Sequence, residues 1–368
     1  MKTASSSSAT PSRNDWPDSD AVTVTVVTPA FRAEGFIEET IRSVHAQSHR
    51  PLQHVVVDDC SPDNQNHVIE RLAGELSGSG YRIDLVRHDV NRGAAQALLT
   101  GIAAADGEAI CWLSADDLFV DDSKTSEQIR LLDHVDITFD DACLEGPDQA
   151  TALLSRPTWP LGIRRNRALA EWQPDAVLVG LLFQNPINGT SVMIRRDVLR
   201  DTVSFDPALG NLDADADFFL RASALGLTMR PRLGVGTLYR IHPGQTSQRT
   251  DAMAWGRALS RSRILAALAD SGRLDELLLR HRGLLAGAVL SANWCSPDAV
   301  RELSARMEAT GDRGLSLLAA AARRITRLRG LPLLPPAEIA ARVAESTASG
   351  EFARFSEKLA KRDNAPEQ

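Results

Sequence analysis

The sequence predicts an α/β fold, a mostly parallel central sheet flanked by helices, followed by a helical C-terminal region. Three observations carry this. Strand and helix signals alternate through the first half in units of roughly 30 residues, the spacing of parallel strands joined by crossover helices. Val55-Val56-Val57 is a continuous apolar run, as a strand buried on both faces requires. Beyond about residue 250 the chain is rich in Ala, Leu and Arg and poor in β-branched residues, which favours helix.

The elements follow in order. Val22, Val24, Val26 and Val27 form a β-branched run that ends at Pro29. Glu34 to Gln47 carries Phe36, Ile37, Ile41 and Val44 at near-helical spacing. After the Val55–Val57 strand, Ser61 and Pro62 suit a helix N-cap and first turn, leading into Val68, Ile69, Leu72 and Leu76. Ile83 to Val86 is a third strand, Ala94 to Ala105 a third helix and Ile110 to Leu113 a fourth strand. Pro243-Gly244 marks a turn before the helical region, with runs at Ala258 to Leu268 and Leu315 to Leu328 and breaks at Pro332, Pro335 and Pro336. Three parts are expected: a polar, disordered lead over 1–20, an α/β domain over 21–250, and helices over 251–368. Because every chemistry-bearing motif precedes residue 250, the α/β part is expected to hold its site without the helices.

Composition excludes several classes. The 41 Lys and Arg against 48 Asp and Glu give a net charge of −7, which argues against nucleic-acid binding by general phosphate attraction. The charge is uneven: residues 251–368 hold 18 basic and 14 acidic side chains, the remainder 23 and 34. No apolar run reaches the ~18 residues of a membrane span. Four dispersed cysteines without a CxxC pair fit reduced thiols, and with them a cytoplasmic setting, rather than a disulfide frame or zinc site. No GxGxxG follows the first strand and no GxxxxGK[ST] loop occurs, so a nucleotide must be held by carboxylates, an aromatic surface and a metal.

Ligands of such sheets bind beyond the carboxyl ends of the strands. Those ends carry Pro29-Ala30-Phe31, Asp58-Asp59, Asn91-Arg92-Gly93 and Ser114-Ala115-Asp116-Asp117. Adjacent carboxylates repel, so two such pairs at equivalent strand ends point to a cation or donor ligand.

These residues, in this order, resemble the family 2 glycosyltransferases, which have the GT-A fold. The resemblance rests on Pro29-Ala30-Phe31-Arg32-Ala33-Glu34, Ser43-Val44-His45-Ala46-Gln47 and Val57-Asp58-Asp59-Cys60-Ser61-Pro62-Asp63. It continues through Asn91-Arg92-Gly93, Ala105-Asp106-Gly107-Glu108, Ser114-Ala115-Asp116-Asp117, Asn188-Gly189-Thr190-Ser191, the segment Asp215 to Arg221, and Tyr239-Arg240-Ile241-His242. Arg32 replaces the usual Asn, Cys60 the usual Gly, and Ser114 the first acid of the usual Asp-x-Asp.

The resemblance implies an inverting, metal-dependent transfer of a sugar from a nucleotide-diphosphate sugar to an acceptor hydroxyl. Asp117 and His242 would hold Mg²⁺ or Mn²⁺, with Asp116 on the ribose or completing the metal shell. Asp59 would accept from a pyrimidine N–H, Phe31 would stack, and Pro29 and Ala30 would offer backbone contacts. Glu34, Asn91 and Arg240 complete the donor side. A UDP- or dTDP-sugar is favoured, without separating these bases from guanine. Asp215 is the implied general base; Asp213 and Asp217 read as a cap and a surface group. Trp159 and Trp172 are candidate sugar platforms on the acceptor side. The acceptor would be a glycan, a lipid-linked species or a small molecule, with no nucleic acid involved. A homodimer through the C-terminal helices and a peripheral position on the inner face of a membrane are further expectations. The alternative is a non-catalytic nucleotide-sugar or glycan-binding protein on a degenerate transferase scaffold.

Overall fold

A computed structural model of the chain describes residues 18, 21–146, 151–153, 173–209, 212–292, 294–348 and 350–363. Apart from Asp18, the polar lead lies outside the described residues, as do Trp159 and Trp172.

The first half alternates as expected: β1 (Val24–Ala30), α1 (Ile37–His45), β2 (Leu52–Asp58), α2 (Gln65–Leu76), β3 (Tyr81–Arg87), α3 (Ala94–Ala103) and β4 (Ala109–Trp112). Strands β5 (Leu118–Phe119), β6 (Ile137–Glu145) and β7 (Thr151–Leu153) follow, with α4 (Lys124–Leu132) between β5 and β6. Next come α5 (Pro174–Phe183), β8 (Met193–Arg195), α6 (Ala214–Ala224) and β9 (Met229–Arg240). The described strands form one sheet of order β3-β2-β1-β4-β8-β6-β9-β5, with β7 on β6. β3, β2, β1 and β4 are mutually parallel. Beyond β4 the sheet is mixed, because β8 pairs antiparallel with both β4 and β6 while β6 and β9 run parallel.

Val24, Val26 and Val27 of β1 are fully buried, since α1 and α2 cover one face of the sheet and α3 the other. Helix α2 begins at Gln65, not at Ser61. Ser61 instead donates its hydroxyl to Asp63 Oδ1 at 2.5 Å and accepts Arg32 N–H at 2.8 Å, so it ties the β2 and β1 exits together rather than capping the helix.

The C-terminal region is helical: α7 (Thr250–Asp270), α8 (Arg273–Arg280), α9 (Arg282–Ser291), α10 (Pro297–Ala309), α11 (Arg313–Leu328), α12 (Pro336–Thr347) and α13 (Gly350–Asp363). It does not stand apart from the α/β part. One continuous core joins Val27, Ile110 and Ile137 of the sheet to Phe218 of α6, Leu265 of α7 and Phe352 and Leu359 of α13. The expectation that residues 21–250 hold their site without the helices has this shared core set against it, and a charge argument besides. Arg261 and Arg263 of α7 are fully buried and neutralise carboxylates of α6. Among the described residues no helix is long and apolar enough to cross a membrane, and all four cysteines are free.

Candidate functional site

The two acidic pairs at the strand ends have different fates. Asp58 is consumed by the local fold: Oδ1 accepts Ser61 N–H at 2.9 Å and Gln65 Nε2 at 2.6 Å, and Oδ2 accepts Asn66 Nδ2 at 2.8 Å. Its pairing with Asp59 therefore needs no ligand, contrary to the sequence argument from repulsion. Asp59, 3% exposed, fastens the next loop. Oδ1 lies 2.7 Å from His88 Nδ1 and accepts Arg92 N–H, while Oδ2 accepts Gly93 N–H at 2.7 Å. An ionised carboxylate has about four acceptor directions, so one remains for a ligand. His88, bridging Asp59 to Thr100 Oγ1, escaped the sequence reading because a lone histidine after a strand carries no motif.

Around Asp59 lie other residues that the sequence led us to expect on the donor side. Phe31 is 44% exposed, with the Arg32 guanidinium 5.3 Å from its ring centre, so its face is not part of the core. Pro29 and Ala30 end β1, and Ala30 C=O accepts Asp59 N–H. Glu34 is exposed and accepts Asn64 N–H, and Asn91 is exposed in the turn before α3. Arg32 and Cys60 both have positive φ, 54° and 58°. Left-handed backbone suits glycine, which accounts for the glycine usual at the position of Cys60.

The Asp116-Asp117 pair retains unspent acceptor capacity. Asp117 is fully buried; Oδ1 accepts Arg240 N–H at 3.0 Å, the Thr190 side chain stands beside the carboxylate, and Oδ2 makes no well-formed hydrogen bond among the described residues. Burial, and then the charge of Asp116, push its carboxyl well above the usual range. Asp116 Oδ2 lies 2.9 Å from His242 Nε2, whose ring packs against Phe36. The Arg240 guanidinium is already paired with Glu39 and Glu145 and donates to Asp116 C=O. Among the described residues no group of three or more His, Cys, Asp or Glu side chains converges into a cation site. The donor set is nevertheless of the hard-oxygen kind, and a buried carboxylate oxygen left unpaired is what a hard cation would satisfy.

Asp215 stands in the first turn of α6, on the wall of a cavity of about 280 Å³. The cavity is shared by Asp140 and Asp141 of β6, Asn185 and Asn188 after α5, and Tyr239 of β9. Asn185 Nδ2 donates to Asp215 Oδ2 at 3.3 Å. Burial, then the negative charge of Asp213, raise the Asp215 carboxyl to about 6. The companion aspartates correct the sequence reading. Asp213 makes no side-chain cap; it accepts Ser260 Oγ and Arg261 Nη1, each at 2.6 Å. Asp217 is not on the surface but fully buried, 2.7 Å from Arg221 and 2.6 Å from Arg263. A three-residue alternation of Asp conceals this, because Arg261 and Arg263 come from a helix more than 40 residues later, although Arg221 is only four residues on.

Below the cavity, Lys124 and Asp140 form a fully buried ion pair at 2.9 Å. The Lys124 ammonium also donates to Gln128 and to Ser191 C=O. Gly236 lies against this pair: a Cβ there would stand 2.0 Å from Asp140 Oδ2.

Residues 25–180 match the family model described as glycosyl transferase family 2. The chain is 32% identical over 109 residues to a Bacillus subtilis protein named for a glycosyltransferase of teichuronic acid biosynthesis, covering 30% of this chain and 41% of that protein. It is 31% identical over 120 residues to an Escherichia coli UDP-Glc:alpha-D-GlcNAc-diphosphoundecaprenol beta-1,3-glucosyltransferase, covering 33% of this chain and 45% of that protein. The matched stretch is thus under half the length of either relative. Staphylococcus aureus TarS 1-349 in complex with UDP-GlcNAc superposes with a TM-score of 0.52 at 15% identity, over 92% of each chain. That likeness shows a shared GT-A-type fold, and it extends through the C-terminal helices.

Proposed function

From the premise that this chain belongs to the family 2 glycosyltransferases, we propose that it transfers a sugar, with inversion, from a nucleotide-diphosphate sugar to an acceptor hydroxyl. The observation that carries this is Asp215: a carboxylate titrating at about 6 on the wall of a polar cavity is suited to take a proton near neutral pH.

The roles follow the geometry. The donor base would lie at the Phe31–Asp59 end, with Phe31 offering a ring face and Asp59 its remaining acceptor direction. Glu34 and Asn91 rim this end. The diphosphate would lie toward Asp116 and Asp117. A divalent cation, Mg²⁺ or Mn²⁺, when bound there would supply Lewis-acid neutralisation of the leaving diphosphate. Asp117, through its unpaired Oδ2, and His242, now on Asp116, are the residues that would hold it. Arg240 keeps Asp117 in place through its backbone N–H, and its guanidinium joins Glu39, Glu145 and the Asp116 carbonyl. The acceptor would enter the cavity between Asn185, Asn188 and Tyr239. Asp215 would remove the proton from its hydroxyl as the oxygen attacks the anomeric carbon from the face opposite the diphosphate. Polar walls of Asn and Tyr suit a polyhydroxylated acceptor.

The test is Asp215→Asn. With UDP-, dTDP- and GDP-sugars screened as donors, the variant should lose roughly 10²–10⁴-fold in kcat while donor affinity by calorimetry stays within twofold. Near-full turnover in the variant overturns the assignment.

A further inference from the structure

Helix α7 lies outside the segment matched by the family model, yet two of its arginines straddle Asp215. Arg261 holds Asp213, two residues before it, and Arg263 holds Asp217, two residues after it. Both guanidiniums are fully buried. Arg263 is itself tied down by Asp206 at 2.9 Å, by the Ser346 carbonyl and by the Phe352 ring at 4.4 Å, so α12 and α13 steady it. Arg261 differs. Its Nη1 serves Asp213, the Arg257 carbonyl and Ser260 Oγ, whereas Nε and Nη2 have no partner among the described residues. Burying a guanidinium with two N–H edges unpaired is a poor way to stabilise a fold. Its position is what it supplies: a fixed positive charge beside the first turn of α6.

We propose that Arg261 is a positioning residue of the transfer reaction, which fixes Asp213 and, through that pair, sets the charge state of Asp215. This rests on the reading of Asp215 as the base. Asp213 is drawn into left-handed backbone, φ 58°, at the start of α6, where its negative charge opposes ionisation of Asp215. Arg261 offsets that opposition both by pairing with Asp213 and by its own attraction for Asp215. The other groups facing this centre are few. Tyr239 comes from β9, and Asp140 and Asp141 from β6 across the cavity. The Cys295 thiol, before α10, and Arg257 of α7 lie beside Arg261 and Asp213. The C-terminal helices thus act on the chemistry, not on the donor.

Loss of Arg261 and loss of Asp213 should move Asp215 in opposite directions, which simple structural damage does not do. Full-length protein carrying ¹³Cγ-aspartate is titrated by NMR, with the Asp215 resonance identified by its loss in Asp215→Asn. Arg261→Met should raise the Asp215 midpoint by roughly one pH unit, and Asp213→Asn should lower it by a similar amount. Arg261→Lys, which keeps the charge, should stay near the parent. The double variant Arg261→Met/Asp213→Asn should return toward the parent, because both charges of the pair are gone. The acid limb of UDP-glucose hydrolysis, used as the probe reaction, should move with each midpoint. Midpoints that stay put, or that move the same way in both single variants, overturn the proposal. If Arg261→Met does not fold, Arg261→Gln, which loses the charge but keeps a polar edge for Asp213, takes its place: the Asp215 midpoint should again rise, and an unmoved midpoint overturns the proposal. Midpoints that move as expected while the acid limb does not follow uphold Arg261's control of Asp215 and overturn the base assignment instead.

Discussion

A buried carboxyl pushed toward neutrality is held at a cost to the fold, and that cost is measurable without knowing any substrate. The Asp215 carboxyl is raised from its ordinary 3.8 to about 6 by burial and by the charge of Asp213. One pH unit corresponds to about 1.4 kcal/mol, so ionised Asp215 destabilises the native state by about 3 kcal/mol as an upper figure. The sign follows from proton counting. Between 3.8 and 6 the folded protein binds more protons at this site than the unfolded chain. This group's contribution therefore lowers stability as pH rises through that window, and the penalty is complete above 6. Asp215→Asn removes the charge and keeps an oxygen to accept from Asn185. Equilibrium urea unfolding at pH 7 should show the variant more stable than the parent by about 1–3 kcal/mol. At pH 4, where the parent's carboxyl is protonated, the gain should be close to zero. A variant that is less stable at pH 7, or equally stabilised at both pH values, would refute the account of Asp215 as a buried, charge-opposed acid.

Other expectations concern the surrounding frame. Asp217→Asn leaves Arg221 and Arg263 facing Glu351 and Asp206, whereas Arg263→Met leaves Asp217, Asp206 and Glu351 with Arg221 alone. Chemical unfolding should therefore show about 3 kcal/mol lost in the first and about 5 in the second; the reverse order would contradict the charge argument. Asp117→Ala should abolish any Mn²⁺-dependent tightening of nucleoside diphosphate binding in calorimetry, and an unchanged metal dependence would remove Asp117 from the metal role. Gly236→Ala drives a methyl into Asp140 and should lower the melting temperature by several degrees through loss of the Lys124–Asp140 geometry. Truncation after residue 250 strips Asp213 of Arg261 and Asp217 of Arg263, leaving Asp217 with Arg221 alone, and should give insoluble or unfolded protein. A folded fragment would show that the shared core is dispensable.

The first half of the fold was legible because its signal is local. The continuous Val55–Val57 run and the β-branched run before Pro29 have few alternatives, and each strand end is marked by residues beside it in sequence. The place of the Asp116-Asp117 pair just beyond a strand end was legible for the same reason, whereas its shortage of internal donors is visible only in the structure. Asp58 shows the limit of that logic. Its donors, Ser61, Gln65 and Asn66, also lie in the sequence, but only the loop geometry turns them inward. The roles of Asp213 and Asp217 were not legible, because an arginine on a helix reads as solvated until tertiary packing buries it. Lys124 and Asp140 were hidden likewise: a lysine at the start of a helix is ordinary, and its full burial depends on β9 reaching across at Gly236.

The loop clasped by Asp59 bears on the rate at which a donor would be captured. A single carboxylate binds the His88 ring and the Arg92 and Gly93 amides, and its own amide is tied to Ala30. Three consecutive exits from the sheet are thereby held in one arrangement before any nucleotide arrives. A receptor whose competent state is fully populated pays no conformational tax on affinity. Association at this end should then be limited by diffusion and orientation, at about 10⁵–10⁷ M⁻¹s⁻¹, with a single kinetic phase linear in donor concentration. Cutting the clasp with Asp59→Ala should leave a slower, saturable approach to binding in stopped-flow traces, as the loop searches for the shape it now holds in advance.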